Sequence, residues 1–203
     1  MANTDQVRGL RLVNSLSGRQ PQIKRYFIPS TDSTAVFVGD LVKLAGSADS
    51  YGVATVAQCA AGNPTLGVVV GVDQVKGVTT TNLNLYRTHR PASTAMYVWV
   101  CDDPAAVYEI QCDDVGNTIA AADIGLNADV IVAAGDTTTG WSGMELDSST
   151  AATTSTKVLR ILGVSPNADN EAFVANQKVL VKINVHTLEA TDISGTPTGS
   201  LGT

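Results

Sequence analysis

Apolar residues in this chain fall in short runs closed by turn residues, the pattern of β-strands. Ala35-Val36-Phe37-Val38 runs into Gly39-Asp40, and Leu41-Val42-Lys43-Leu44 stops at Gly46-Ser47. Strands are predicted next over residues 53–57 and 67–72, separated by Gly62-Asn63-Pro64, and then over 82–87 and 95–101. In Met96-Tyr97-Val98-Trp99-Val100, Tyr97 and Trp99 share one face and Met96, Val98 and Val100 the other. Both faces are apolar, so cover on both sides is expected. Residues 107–112 alternate Val107, Glu109 and Gln111 against Tyr108, Ile110 and Cys112, which predicts a half-buried strand.

The second half repeats the theme. The alanines of 119–124, followed by Gly125, predict a short helical turn. Strands are predicted over 129–133, 158–164 and 178–186; in the last, Val179, Val181, Ile183 and Val185 line one face of a half-solvated strand. The Thr- and Ser-rich stretches 135–140 and 148–156 read as a polar loop or edge hairpin. Strand and turn at such intervals predict an all-β fold, a β-sandwich or jelly-roll-like barrel.

Both ends lack this pattern. Residues 1–30 show neither alternation nor a capped helical stripe and read as an extended N-terminal arm. It locks onto the body at Tyr26-Phe27-Ile28, where Pro29 forces the preceding residue into an extended conformation. The β-rich body is placed at 31–188. Residues 189–203 are small and polar, and a mobile C-terminal tail is expected.

Composition agrees with sheet. Val 25, Ala 24, Thr 23 and Gly 18 account for 90 of the 203 residues, and only 16% are charged. The charges are unevenly placed: Arg8, Arg11, Arg19, Lys24 and Arg25 face the single acid Asp5 in residues 1–30, a net of +4, while residues 31–203 carry −10. A cationic arm on an anionic body suits an acidic patch on a protein partner first. Packing on its own domain comes second. Nucleic acid comes last, because the body repels phosphate and the arm offers only Tyr26 and Phe27 for stacking. The chain has neither an apolar run long enough to span a bilayer nor a basic-then-apolar leader, so no membrane association and synthesis in a cytoplasm are expected. Reduced thiols at Cys59, Cys101 and Cys112 follow, with a Cys101–Cys112 cross-strand disulfide as the alternative.

Candidate chemistry is sparse. His89 lies between arginines and His186 closes a strand, neither at metal-ligand spacing. If the strands before Asp102-Asp103 and Asp113-Asp114 form a hairpin, those acids lie at opposite ends, and both pairs read as turn acids. No phosphate loop or nucleophile elbow is present. The chain is therefore read as a non-enzyme, with no catalytic residue, cofactor or metal. Of the two tryptophans, Trp99 reads as core and Trp141, in the polar loop, as an interface anchor.

An ordered series of phrases adds to this. Tyr97-Val98-Trp99-Val100-Cys101-Asp102-Asp103-Pro104, Tyr108-Glu109-Ile110-Gln111, Ile124-Gly125-Leu126-Asn127-Ala128-Asp129, Gly143-Met144-Glu145-Leu146-Asp147, Leu159-Arg160-Ile161-Leu162-Gly163 and Val179-Leu180-Val181-Lys182-Ile183-Asn184-Val185-His186 span about ninety residues. The series resembles the cement or decoration proteins of tailed-bacteriophage heads. The resemblance implies a β-sandwich or jelly-roll-like body without catalysis, bound as dimers or trimers to the outside of the major capsid protein shell and stabilising it. The phrases do not extend to the arm; its charge and aromatic end point to Arg8, Arg11, Arg19, Lys24, Arg25, Tyr26 and Phe27 as contacts to capsid or a sister subunit. The alternative is a virion tail or head-fibre component that binds host glycans through the loop around Trp141.

Overall fold

The computed structural model describes residues 3–73, 87–113, 115 and 117–189. All but Arg87 of the strand expected at 82–87, and all but Glu189 of the tail expected at 189–203, lie outside the described residues.

The chain is all-β, with two sheets of different closure. Strands β2 (Ile23–Ile28), β3 (Leu41–Ala48), β4 (Ala54–Gln58), β5 (Gly67–Val72) and β6 (Met96–Cys101) form a closed barrel in the order β2-β4-β3-β5-β6. Every pairing in it is antiparallel except β2 with β4. Strands β1 (Arg11–Ser15), β7 (Ala106–Gln111), β8 (Asn127–Ile131), β9 (Glu145–Ala152), β10 (Leu159–Val164) and β11 (Lys178–Ile183) form a six-stranded sheet in the order β1-β7-β11-β10-β8-β9. That sheet curls: Leu146 of β9 bridges to Cys112, the residue that follows β7. A 3-10 turn at Ala121–Asp123 stands where the alanines predict one.

Burial follows the alternation of apolar side chains. Tyr26, Ile28, Val42, Val56, Val69, Val98 and Val100 fill the barrel. A second cluster joins Tyr108, Ile110, Leu146, Leu159, Ile161, Val179 and Val181 of the sheet to Leu41, Val68 and Cys101 of the barrel, so the two sheets share a core. All three cysteines are buried and none forms a disulfide, so the alternative of a Cys101–Cys112 disulfide does not hold.

Four sequence expectations change. First, the boundary at residue 30 is not a structural one. Residues 11–15 are the edge strand β1 on β7, and residues 23–28 are β2, paired with β6 along six consecutive positions from Ile23↔Cys101 to Ile28↔Met96. The charge pattern favours an outside partner, but backbone pairing with the molecule's own strands satisfies these segments. Second, β6 and β7 belong to different sheets, with the chain crossing between them at Asp102-Asp103-Pro104-Ala105, so they form no hairpin. Third, β7 is buried on both faces rather than half-buried. Its polar face is covered by the N-terminal segment: Gln6 donates its backbone N–H to the Gln111 side chain, which in turn donates to Asp5. Fourth, residues 35–38 make isolated bridges, Val36 to Arg90 and Val38 to Trp141, instead of a strand.

Candidate functional site

The barrel wall built by β2 and β6 carries the exposed face of most chemical interest. Alternation along β2 turns Tyr26 and Ile28 inward and leaves Ile23, Arg25 and Phe27 outward. On β6 the same rule buries Met96, Val98 and Val100 and places Tyr97 and Trp99 outside. The register sets Arg25 opposite Trp99 and Phe27 opposite Tyr97. Cross-strand neighbours on one face are close enough for their side chains to touch, and here they do. The Phe27 and Tyr97 ring centroids are 5.2 Å apart and tilted by 53°. The Arg25 guanidinium lies 4.3 Å from the centre of the Tyr97 ring, a cation–π geometry.

Polar partners hold this face rigid. The Tyr97 hydroxyl donates to Asp49 in the β3–β4 turn. That bond holds the Asp49 carboxyl below its ordinary range and pushes the Tyr97 phenol up. Arg25 also reaches Asp73, at 3.9 Å. Trp99 stands beside Gly71 of β5 and is 42% exposed; Ile23 is 45% and the nearby turn residue Tyr51 is 68% exposed. Below the face, the buried Asp102 accepts a hydrogen bond from the Tyr26 hydroxyl at 2.8 Å and pairs with Lys24 at 3.0 Å. Burial is the main cause raising the Tyr26 phenol's pKa, so it stays a donor.

The residues singled out in the sequence divide. Arg25 and Phe27 sit on this face. Tyr26 is a core anchor beneath it, and Lys24 is tied to Asp102 at its edge. Arg11 pairs with Glu109 of β7 at 3.3 Å, and Arg8 donates to the Gln6 side chain; both lie against the six-stranded sheet. Arg19, in the link between β1 and β2, is exposed and makes no ion pair among the described residues. Three of the five cations thus meet acids of their own chain. Trp99, read as core, is exposed, while Trp141 is half-buried and bridged to Val38. Sequence reasoning placed Trp99 inside because both faces of β6 are apolar. The missed signal was that Arg25 and Lys24, on the neighbouring strand, hold that wall near water.

The fold and this face define a class: an all-β protein pairing a closed five-stranded barrel with a curled six-stranded sheet, and presenting an aromatic and cationic wall. Comparison with known proteins finds no matching family model, no matching curated protein and no matching solved structure.

Proposed function

We propose that this is a structural adhesion protein that coats the outside of a tailed-bacteriophage head, binding the major capsid protein shell and stabilising it. The observation that carries the reading is the β2–β6 wall, where Trp99, Tyr97, Phe27, Ile23 and Arg25 stand together on rigid strands. Trp, Tyr and Arg are the residues that most often dominate protein–protein contacts, because each buries a large area with few rotatable bonds. The phrase series running through Tyr97-Val98-Trp99-Val100 supports the same reading.

The mechanism is not an unfurling arm. Freeing residues 11–28 would break the pairing of β1 with β7 and of β2 with β6. The molecule instead docks as a folded body, adding energy at each of many repeated sites on the shell. Wild-type protein in purified particles is expected to be near-stoichiometric with the major shell protein, and Trp99→Ser protein is expected to bind shells stripped of it at least tenfold more weakly. A copy number like that of a tail protein, or absence from particles, overturns the reading. Binding of wild-type but not Trp99→Ser protein to a glycan array, with no shell binding, moves it to the host-recognition class.

A further inference from the structure

We infer that the cleft between the N-terminal segment and the start of β11 is a second contact point, built to receive the carboxylate of an acidic side chain from a partner protein. The inference rests on the adhesive reading only for the source of that side chain. The cleft has a volume of about 320 Å³. It is lined by Glu109 and Gln111 of β7, by Gln6, Arg8, Gly9 and Arg11 of the N-terminal segment, and by Asn167, Asp169 and Lys178.

Glu109 is buried, and its carboxylate is already served by the Ser165 hydroxyl, the Asn167 amide at 2.5 Å and Arg11. Asp169 is held by Lys178 at 3.0 Å, which keeps its carboxyl below the ordinary range. Asp5 and Glu145 are engaged by the Gln111 amide and do not line the cleft. Each acid lining the cleft is thus paired with a cation, Glu109 with Arg11 and Asp169 with Lys178, which leaves Arg8 over. Arg8 is half-buried and spends one of its donors on Gln6; among the described residues it meets no carboxylate. A guanidinium carries five N–H donors, so four remain. Arg11, 51% exposed at its side chain, adds more. A ligand here must accept hydrogen bonds from a planar fork, and a carboxylate matches that geometry two bonds at a time.

The Arg8 guanidinium donates to the side chain of Gln6, two residues earlier, and both residues line the cleft. The segment itself is pinned, since Asn3 exchanges two hydrogen bonds with the Glu171 backbone and Leu10 donates to Gly39. Arg8 thus stands on a fixed support. From the cleft, the same stretch of chain continues through Val13, Leu16 and Arg19 to Ile23 and Arg25 of the aromatic wall, so one segment serves both contacts.

The test uses full-length free protein, with amide NMR shifts followed during titration by acetyl-Gly-Glu-Gly-amide, its Gln counterpart and inorganic phosphate. The Glu peptide is expected to give saturable shifts at Gln6, Gly9, Gln111 and Lys178 with affinity of about millimolar. Those shifts should weaken as salt rises, since partly exposed charges are screened. Arg8→Gln should weaken binding at least tenfold and Arg8→Lys should recover part of it; Lys178→Gln, elsewhere in the lining, should weaken it severalfold with the rest of the spectrum unchanged. Equal shifts from the Gln peptide, no effect of either charge removal, or phosphate binding without peptide binding would each overturn the inference. No particle enters this experiment, so its failure is separate from failure of the shell-binding reading, which rests on copy number.

Discussion

The barrel and the six-stranded sheet fill their interiors in the same way and treat their outer faces in opposite ways. In the sheet, β7 is buried at every position because the molecule lays its own N-terminal segment over it, supplying Gln6, Asp5 and Arg11 to the polar side chains beneath. In the barrel, β6 is buried on its inner side and left open outside, with Trp99 and Tyr97 facing water among cations. One region has taken its cover from its own chain. The other has the composition of a contact surface and, among the described residues, no such cover. A patch of this kind on a folded protein is where a partner is expected.

The largest effects should come from residues that close each interior. Arg90 is fully buried and donates to the carbonyls of Pro29, Asp32, Thr34 and Thr94, clamping the loop after β2. Arg90→Met leaves those acceptors unsatisfied and should lower stability by about 3–5 kcal/mol. In the sheet, Tyr108→Ala removes a fully buried ring whose hydroxyl donates to the Cys101 carbonyl, and should cost a similar 3–5 kcal/mol or so. Urea unfolding measures both. A loss below about 1 kcal/mol for either would mean that its region is not the closed unit described.

A smaller effect should appear where the cover is fastened. Gly9 has φ +66°, and a Cβ there would lie 2.4 Å from the Ser142 Cβ and 2.7 Å from the Gly39 carbonyl oxygen. Gly9→Ala should therefore destabilise by about 1–3 kcal/mol. It should also raise amide exchange in residues 3–15 far more than in the barrel core. Uniform exchange across the molecule would argue that the N-terminal segment is not a separable cover.

Two buried titratable groups give the comparison a pH signature of opposite sign. Burial holds His186 below its ordinary pKa, with Lys182 acting the same way and Glu189, Asp102 and Asp103 opposing. Below about pH 6.5 the unfolded imidazole takes a proton that the folded one refuses, so this contribution is complete above that pH and is lost on acidification. Burial raises Asp40 above the ordinary carboxylate range despite hydrogen bonds from Phe37 and Gln58. Its contribution is complete at low pH and is lost as pH rises through the raised value. In denaturation series across pH, His186→Gln should flatten the acid-side fall and Asp40→Asn should flatten the fall at higher pH. Unchanged slopes would mean that neither group is as buried in solution as in the fold.

Much of the architecture was legible because strand residues alternate and turns are punctuated by glycine and aspartate. β5 was predicted at its observed limits, and β6, β10 and β11 within three residues. The N-terminal strands were not legible. β1 pairs through a bulge at Leu12 and Asn14, and β2 begins with Ile23-Lys24-Arg25, all exposed, so neither shows a clean two-residue period. Charge misled for a related reason: Arg11, Lys24 and Arg25 find Glu109, Asp102 and Asp73 at long sequence separation, which composition by segment cannot reveal. Trp99 was missed because an aromatic on an outer barrel wall looks, in sequence, like one between two covered faces.

The smallest expected folding effect is the most informative. Trp99 is 42% exposed and lies beside Gly71, which offers its ring no side chain to pack against. Its neighbours Arg25 and Tyr97 already hold each other and bond to Asp73 and Asp49. Trp99→Ser should therefore lower unfolding free energy by about 1–2 kcal/mol, well under the Tyr108→Ala loss, although both replace large aromatics on central strands. A loss comparable to that of Tyr108 would show that Trp99 is covered within the monomer, and the β2–β6 wall would cease to be a surface at all. A small loss, together with weaker binding to stripped shells, places the energy of Trp99 in the contact and not in the fold.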